Sequence, residues 1–226
     1  MGHRGSETEF ELTTITRLAN LGYTYKAGED LERPFEEGTP RIWREVVEKP
    51  VLRRFIAASN PALPDSAVDE AVAQFSRPDG VDTVRRNMDF HRKLIRGIEV
   101  KADYPDGRSE YRHLYAIDWA NPENNEFAVV NQVTVTGQNE RRLDIVVYIN
   151  GLPLVVFELK NPYDDRPTVE DAHTQITHYR HEIPQLFEYN AVTVVSDGVQ
   201  TLHGMWSASL EWYAPWKTID GFNIER

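Results

Sequence analysis

The stretch RRLDIVVYINGLPLVVFELKN, residues 141–161, decides how this sequence folds. Asn150-Gly151 stands between two runs of apolar, β-branched and aromatic residues, the strongest short-range signal for a hairpin. LDIVVYI and LPLVVFELK are therefore expected to be adjacent antiparallel strands, and their apolar density predicts a buried central pair. Charge inside such strands is costly unless used. Yet Asp144 interrupts the first strand, and Glu158 and Lys160 interrupt the second. Glu158 and Lys160 are two apart, so they project from one face, with Leu159 turned to the other. Whether Asp144 joins them depends on the turn. A two-residue loop pairs Ile149 with Leu152 and turns Asp144 away from Glu158. A three-residue loop with left-handed Gly151 pairs Tyr148 with Leu152 and brings Asp144 to the Glu158 face. The expectation is the longer loop or a bulge.

Downstream, Thr168 and Asp171 form a capping-box pattern opening a helix that ends before Pro184, and AVTVV, residues 191–195, is a further buried strand. Upstream, Phe127, Val129, Val133 and Val135 mark a strand. Ile98–Ala102 and Tyr111–Ile117 alternate around an Asp106-Gly107 turn. Before them the period is helical: Phe10, Ile15, Leu18 and Leu21 ahead of Gly22, then two short helices divided by Pro50. Ala67–Phe75 follows behind a Ser66/Asp69 near-capping box, and a helix runs over about 82–96. The acidic run from Tyr23 to Gly38 reads as loop. The opening MGHRGS has no packing pattern and reads as an expression remnant. Helices, then strands, then helix and strand define an α/β class with a mixed β-sheet flanked by helices and a helical N-terminal portion.

Composition bounds the function. The 226 residues can bury a sizeable core, and 25 basic against 36 acidic residues leave a net charge of -11, which argues against a surface that grips nucleic acid everywhere. The absence of cysteine excludes disulfides, thiolate zinc sites and a cysteine nucleophile. No apolar run approaches the roughly 20 residues of a membrane helix. No Gly-Lys dipeptide offers a phosphate loop for ATP. His173, His178 and His181 lack a matching third zinc ligand and read as solvated. From Arg85 to Lys101, six basic residues (Arg85, Arg86, Arg92, Lys93, Arg96, Lys101) face two acids, the best candidate phosphate-contacting surface, or else an ordinary solvated helix face.

Two carboxylates converging on one strand face repel each other unless they share a proton or a hard divalent cation. Magnesium suits the second remedy, since it takes one or two carboxylates, keeps waters and favours phosphate oxygens. A lysine beside it can neutralise charge on a phosphate under attack. The chemistry implied is metal-assisted phosphodiester hydrolysis; the bland alternative is a surface Glu-Lys pair and a turn aspartate. Gln175 and Tyr179, four apart, share one helix face and could simply pack on the sheet.

The order Asp144, then Glu158-Leu159-Lys160 on consecutive strands resembles the PD-(D/E)XK nuclease superfamily. The segments AIDWANPENNEFAVVNQVTV, RRLDIVVYINGLPLVVFELKNP and QITHYRHEIPQLFEYNAVTVVSDG resemble, almost phrase by phrase, the amino-terminal nuclease domain of type I restriction enzyme motor subunits. ETEFELTTITRLANLGY is a looser echo. The resemblance implies a restriction-endonuclease-like core and a catalytic triplet of Asp144, Glu158 and Lys160. The metal would be held by Asp144, Glu158 and the Leu159 carbonyl, with Glu7 or Glu11 of the first helix as a further carboxylate. Gln175 and Tyr179 become its QxxxY motif, positioning DNA or the lysine, while Arg141 and Arg142 stand close enough in sequence to meet a phosphate. Family members usually carry proline before the aspartate, where Leu143 stands here. The resemblance further implies a cytoplasmic enzyme acting on double-stranded DNA with Mg2+. Residues 1–206 would be the endonuclease domain and 207–226 a link toward a helicase motor, which alone would use ATP. Modification (methyltransferase) and specificity subunits would be partners. A stand-alone repair nuclease and a non-catalytic docking module are the rival readings.

Overall fold

The computed structural model describes residues 4–33, 43–160 and 168–216, with side chains from residue 9 onward. Helix α1 (Arg4–Asn20) begins inside the MGHRGS stretch and stops where Gly22 turns left-handed at φ 100°. Strand β1 (Thr24–Ala27) follows. Helices α2 (Lys49–Ser59), α3 (Asp65–Phe75) and α4 (Thr83–Arg96) come next, then the hairpin β2 (Ile98–Asp103) and β3 (Ser109–Leu114). The core strands are β4 (Phe127–Thr136), β5 (Glu140–Ile149) and β6 (Leu152–Leu159). The chain closes with α5 (Val169–Glu182), α6 (Pro184–Phe187), β7 (Val192–Ser196), β8 (Thr201–Gly204) and the two-residue β9 (Ala214–Pro215).

Seven strands form one mixed sheet in the order β1-β4-β5-β6-β7-β8-β9, with β1–β4 and β6–β7 parallel and the other pairs antiparallel. Helix α5 makes the crossover between parallel β6 and β7, as such pairs require. On one face α1 seals a small cluster of Ile15, Val129, Ile145 and Leu159. The other face carries the large core, into which α2, α3, α4 and α5 pack Leu52, Ile56, Phe75, Phe90 and Ile176. This is the α/β, PD-(D/E)XK-like architecture the sequence leads one to expect.

Several local expectations change. Pro50 does not divide two helices; it stands in the first turn of α2, where no amide hydrogen is needed, and Val46 and Val47 are buried outside any helix or strand. The Ser66/Asp69 box does not form, because α3 starts at Asp65 with Pro64 as its cap and Asp69 accepts from Arg53 at 2.7 Å instead. Thr24–Ala27, placed in a loop, is a short edge strand with little apolar content. The β2–β3 hairpin is a separate two-stranded sheet. The Thr168/Asp171 capping box is present. Residues 34–38 of the acidic run and the end of the chain from 217 onward lie outside the described residues. Tyr213, just before β9, is buried and shares a hydrogen bond of 2.9 Å with Thr193.

The decisive turn is tight. Asn150 and Gly151 have φ of 51° and 80°, and Ile149 pairs with Leu152, so of the longer loop and the bulge it is the bulge that forms, behind a two-residue loop. A bulge restores the pairing: Tyr148 faces Pro153 while Val147 faces Val155, leaving Leu154 as the extra residue. Beyond it Ile145 faces Phe157, and one step further Asp144 stands opposite Glu158 rather than opposite Val156.

A second irregularity crosses β4 and β5 at the same level. Val130 and Val133, three apart, join the same core, as do Leu143 and Val146, although residues three apart on a regular strand face opposite ways. Both strands therefore change phase together. The ladder runs through Asn131–Ile145 and Val133–Leu143, and between them Gln132, left-handed at φ 54°, stands across from Asp144. Past this seam β4 and β5 bury alternate residues only, whereas before it nearly every residue is covered.

Candidate active site

Gln132, Asp144 and Glu158 thus lie on one row across three neighbouring strands. Asp144 Oδ2 accepts the Leu159 amide at 2.8 Å. Glu158 is 1% exposed, and its Oε1 accepts from Lys160 Nζ at 2.7 Å. Lys160 Nζ also donates to Gln175 Oε1 at 2.6 Å, and Gln175 Nε2 donates to the Tyr179 hydroxyl at 2.6 Å. The structure therefore brings Asp144, Glu158, Lys160, Gln175 and Tyr179 together, with the Gln-Tyr pair propping the lysine. Burial raises the Tyr179 phenol well above its ordinary value, so it stays a protonated donor.

Asp144 carries the electrostatic signature of the site. Burial first, and then the neighbouring Glu158 charge, push its carboxyl up to about 8; the Leu159 amide opposes this, Glu11 adds to it and Lys160 lowers it. Because the folded value lies above the ordinary 3.8, this group favours folding fully below pH 4, and that contribution is lost as pH rises through 8. Asp144→Asn is therefore expected to melt like the native chain near pH 4. By pH 8, without divalent cation, it should be more stable by ~2 kcal/mol, a fraction of the full linkage. Urea unfolding at the two pH values measures this, and equal gaps at both would refute it.

Of the two first-helix acids, Glu11 is 6% exposed and accepts from Gln132 Nε2 at 2.6 Å, while the Glu7 side chain lies outside the described residues. Gln132 is the site residue that sequence reasoning missed. An amide in a strand reads as solvent-facing, and its partner is 121 positions away.

The basic residues fare differently. Arg141 is turned to α5, where Glu182 Oε1 accepts from its Nη2 at 2.6 Å, and that pairing holds Glu182 well below the usual carboxylate range. Arg142 is exposed and, with Gln132, Asn131, Tyr25 and Trp43, lines a groove of about 520 Å³ beside the row. On α4 most cations are neutralised locally: Lys93 and Arg92 by Asp89, and Arg86 by Glu188; on β2, Lys101 pairs with Asp103. Only Arg85 and Arg96 of that group make no ion pair among the described residues.

Among the described residues, no three His, Asp or Glu side chains gather closely enough to enclose a metal by themselves. The donors are nonetheless of one kind. Half-buried Asp144 and buried Glu158 stand beside each other on adjacent strands, and burial, followed by the Glu158 charge, raises the Asp144 carboxyl. That is a hard-oxygen arrangement which a divalent cation, completing its shell with water and phosphate, would relieve. No helix among the described residues is long and apolar enough to cross a membrane.

Comparison with known sequences identifies the family. A profile of the type I restriction enzyme R protein N terminus matches residues 6–210. The type I restriction enzyme HindI endonuclease subunit of Haemophilus influenzae is 36% identical over 222 residues, 96% of this chain and 21% of that protein. The SauCOLORF180P endonuclease subunit of Staphylococcus aureus is 40% identical over 78 residues, 34% of this chain and 8% of that protein. The chain spans about a fifth of the length of the first of these. It belongs to the family of type I restriction enzyme R protein N termini.

Proposed function

We propose that this chain is the Mg2+-dependent endonuclease domain of a type I restriction R subunit and hydrolyses phosphodiester bonds in double-stranded DNA. The observation that carries the reading is half-buried Asp144 of β5 beside buried Glu158 of β6, with Asp144 accepting the Leu159 amide and Lys160 bonded to Glu158. Residues 1–206, together with Tyr213 and the sheet strand β9 that follow, form the nuclease, and the chain beyond leads toward a helicase motor that uses ATP. Modification and specificity subunits complete a cytoplasmic complex.

Asp144, Glu158 and the Leu159 carbonyl would hold the magnesium ion. When bound, it supplies charge neutralisation at the phosphate and eases ionisation of the attacking water. The oxygen of that water bonds to phosphorus, one ester P–O bond breaks, and the departing oxygen takes up a proton. Lys160, steadied by Gln175, places a positive charge where the phosphate oxygens gain negative charge. Tyr179 fixes the Gln175 amide, and so which of its atoms faces the lysine. Arg142, two residues from Asp144, meets the flanking phosphate backbone.

The test is supercoiled plasmid with Mg2+ and the assembled complex of full-length R, modification and specificity subunits. The native complex should cut, and Asp144→Ala should reduce cutting by about three orders of magnitude while the subunit still folds. An Asp144→Ala complex that cuts at the native rate removes the mechanism and favours a docking module.

A further inference from the structure

The left-handed residue opposite Asp144 is a glutamine. A single residue in that conformation costs about 1–2 kcal/mol unless it is glycine or, more cheaply than most, asparagine or aspartate. A long amide is therefore a poor choice for the backbone alone, and its head group must answer for it. That head group reaches across to α1 and donates to Glu11 Oε1 at 2.6 Å. The conformation is locked from the other side: Gly28, next after the last β1–β4 pair, lies so close that an added Cβ would stand 2.4 Å from the Gln132 carbonyl oxygen. Glu11 is buried one helical turn before Ile15, which packs on Ile145 and Leu159, the chain neighbours of Asp144 and Glu158. The phase change in β4 and β5 is thus the device that swings one side chain off the sheet toward the helix.

We infer that Gln132 is a positioning residue which fixes the Glu11 carboxylate beside the Asp144 end of the site, so that the charge of α1 adds to the affinity for a divalent cation. The inference rests on the nuclease reading of the same site. It assigns Gln132 no contact with substrate, and it makes Glu11, through its charge, the functional acid of the first helix.

The test uses the intact chain, without DNA, and manganese alone as a magnesium substitute followed by electron paramagnetic resonance. Gln132→Met keeps the length and loses the amide. Gln132→Asn suits the left-handed backbone but is too short to reach α1, and it covers the case in which the first variant folds poorly. Both should weaken manganese binding about tenfold, the usual scale for a residue behind a ligand. Neither should weaken it further in a Glu11→Gln background, and the exchange Gln132→Glu with Glu11→Gln should recover most of the loss. Variants that bind manganese like the native chain, or that lose as much again in the Glu11→Gln background, overturn the inference and leave the nuclease reading standing. A native chain that binds no manganese overturns both.

Discussion

Lys160→Ala is expected to lower DNA cleavage by about a thousandfold, the range seen when a positioned acid–base or charge-stabilising group is removed. The ammonium is donor to Glu158 on one side and Gln175 on the other, and it is only 21% exposed, so no neighbouring cation can take its place. The substitution also removes the cation from a carboxylate that is 1% exposed, which destabilises the fold by ~2 kcal/mol or more. Loss of activity alone is therefore ambiguous. The double variant Glu158→Gln with Lys160→Met isolates the stability effect, because it leaves no buried unpaired charge. It should melt close to the native chain and still not cut. Lys160→Arg should also be poor, since a flat guanidinium cannot satisfy both oxygens from the ammonium's position. Plasmid cleavage by the assembled complex, with urea unfolding of each variant, decides the matter. A double variant that cuts would show that the lysine is structural.

Asn150→Ala should have the largest effect on stability, ~4 kcal/mol, with the midpoint lowered by about 10 °C at this chain length. Asn150 is fully buried; its Nδ2 donates to Ala116 O at 2.9 Å and Asn125 Oδ1 at 2.8 Å, and its Oδ1 accepts from Glu126 N at 2.8 Å. Alanine would strand three polar partners and force a Cβ residue with no side-chain hydrogen bond into φ 51°. Asn150→Gly keeps the backbone freedom and loses the side chain, so it should recover only the smaller, conformational part. Differential scanning calorimetry of the three chains tests this, and equal melting of glycine and native chains would refute the hydrogen-bond account. The turn lies six residues from Asp144, roughly 20 Å along the strand. Folded Asn150→Ala at low temperature should therefore keep its divalent-cation affinity.

The hairpin and the triplet were legible because both signals are local. Asn-Gly closes the turn, and three charges stand where apolar neighbours make charge conspicuous. The choice between a longer loop and a bulge stayed open because the bulge at Leu154 sits inside an apolar run that looks uniform. Pro153 was the overlooked sign, since proline within a central strand belongs at a bulge. Pro50 was misjudged in the opposite sense, as a breaker where it serves as a starter. The rest depends on distant partners. Gln132 gains meaning only from Glu11, and Arg141 reads as a free cation until Glu182 arrives from α5. The basic appearance of α4 survives in the sequence but is reduced in the fold by Asp89 and Glu188.

The seam across β4 and β5 reconciles two demands that pull apart. Carboxylates held in fixed register need rigid, covered strands, yet a polymer as bulky as a duplex needs open ground. Asp144 sits where the strands pass from cover on both faces to cover on one. Behind it lie the closely packed residues of the central sheet; ahead of it, among the described residues, the positions between the buried ones are half-buried or exposed toward Glu140 and Thr136. Under the proposed nuclease function, that end is the one from which, among the described residues, a large substrate would reach the acids with the strands left in place.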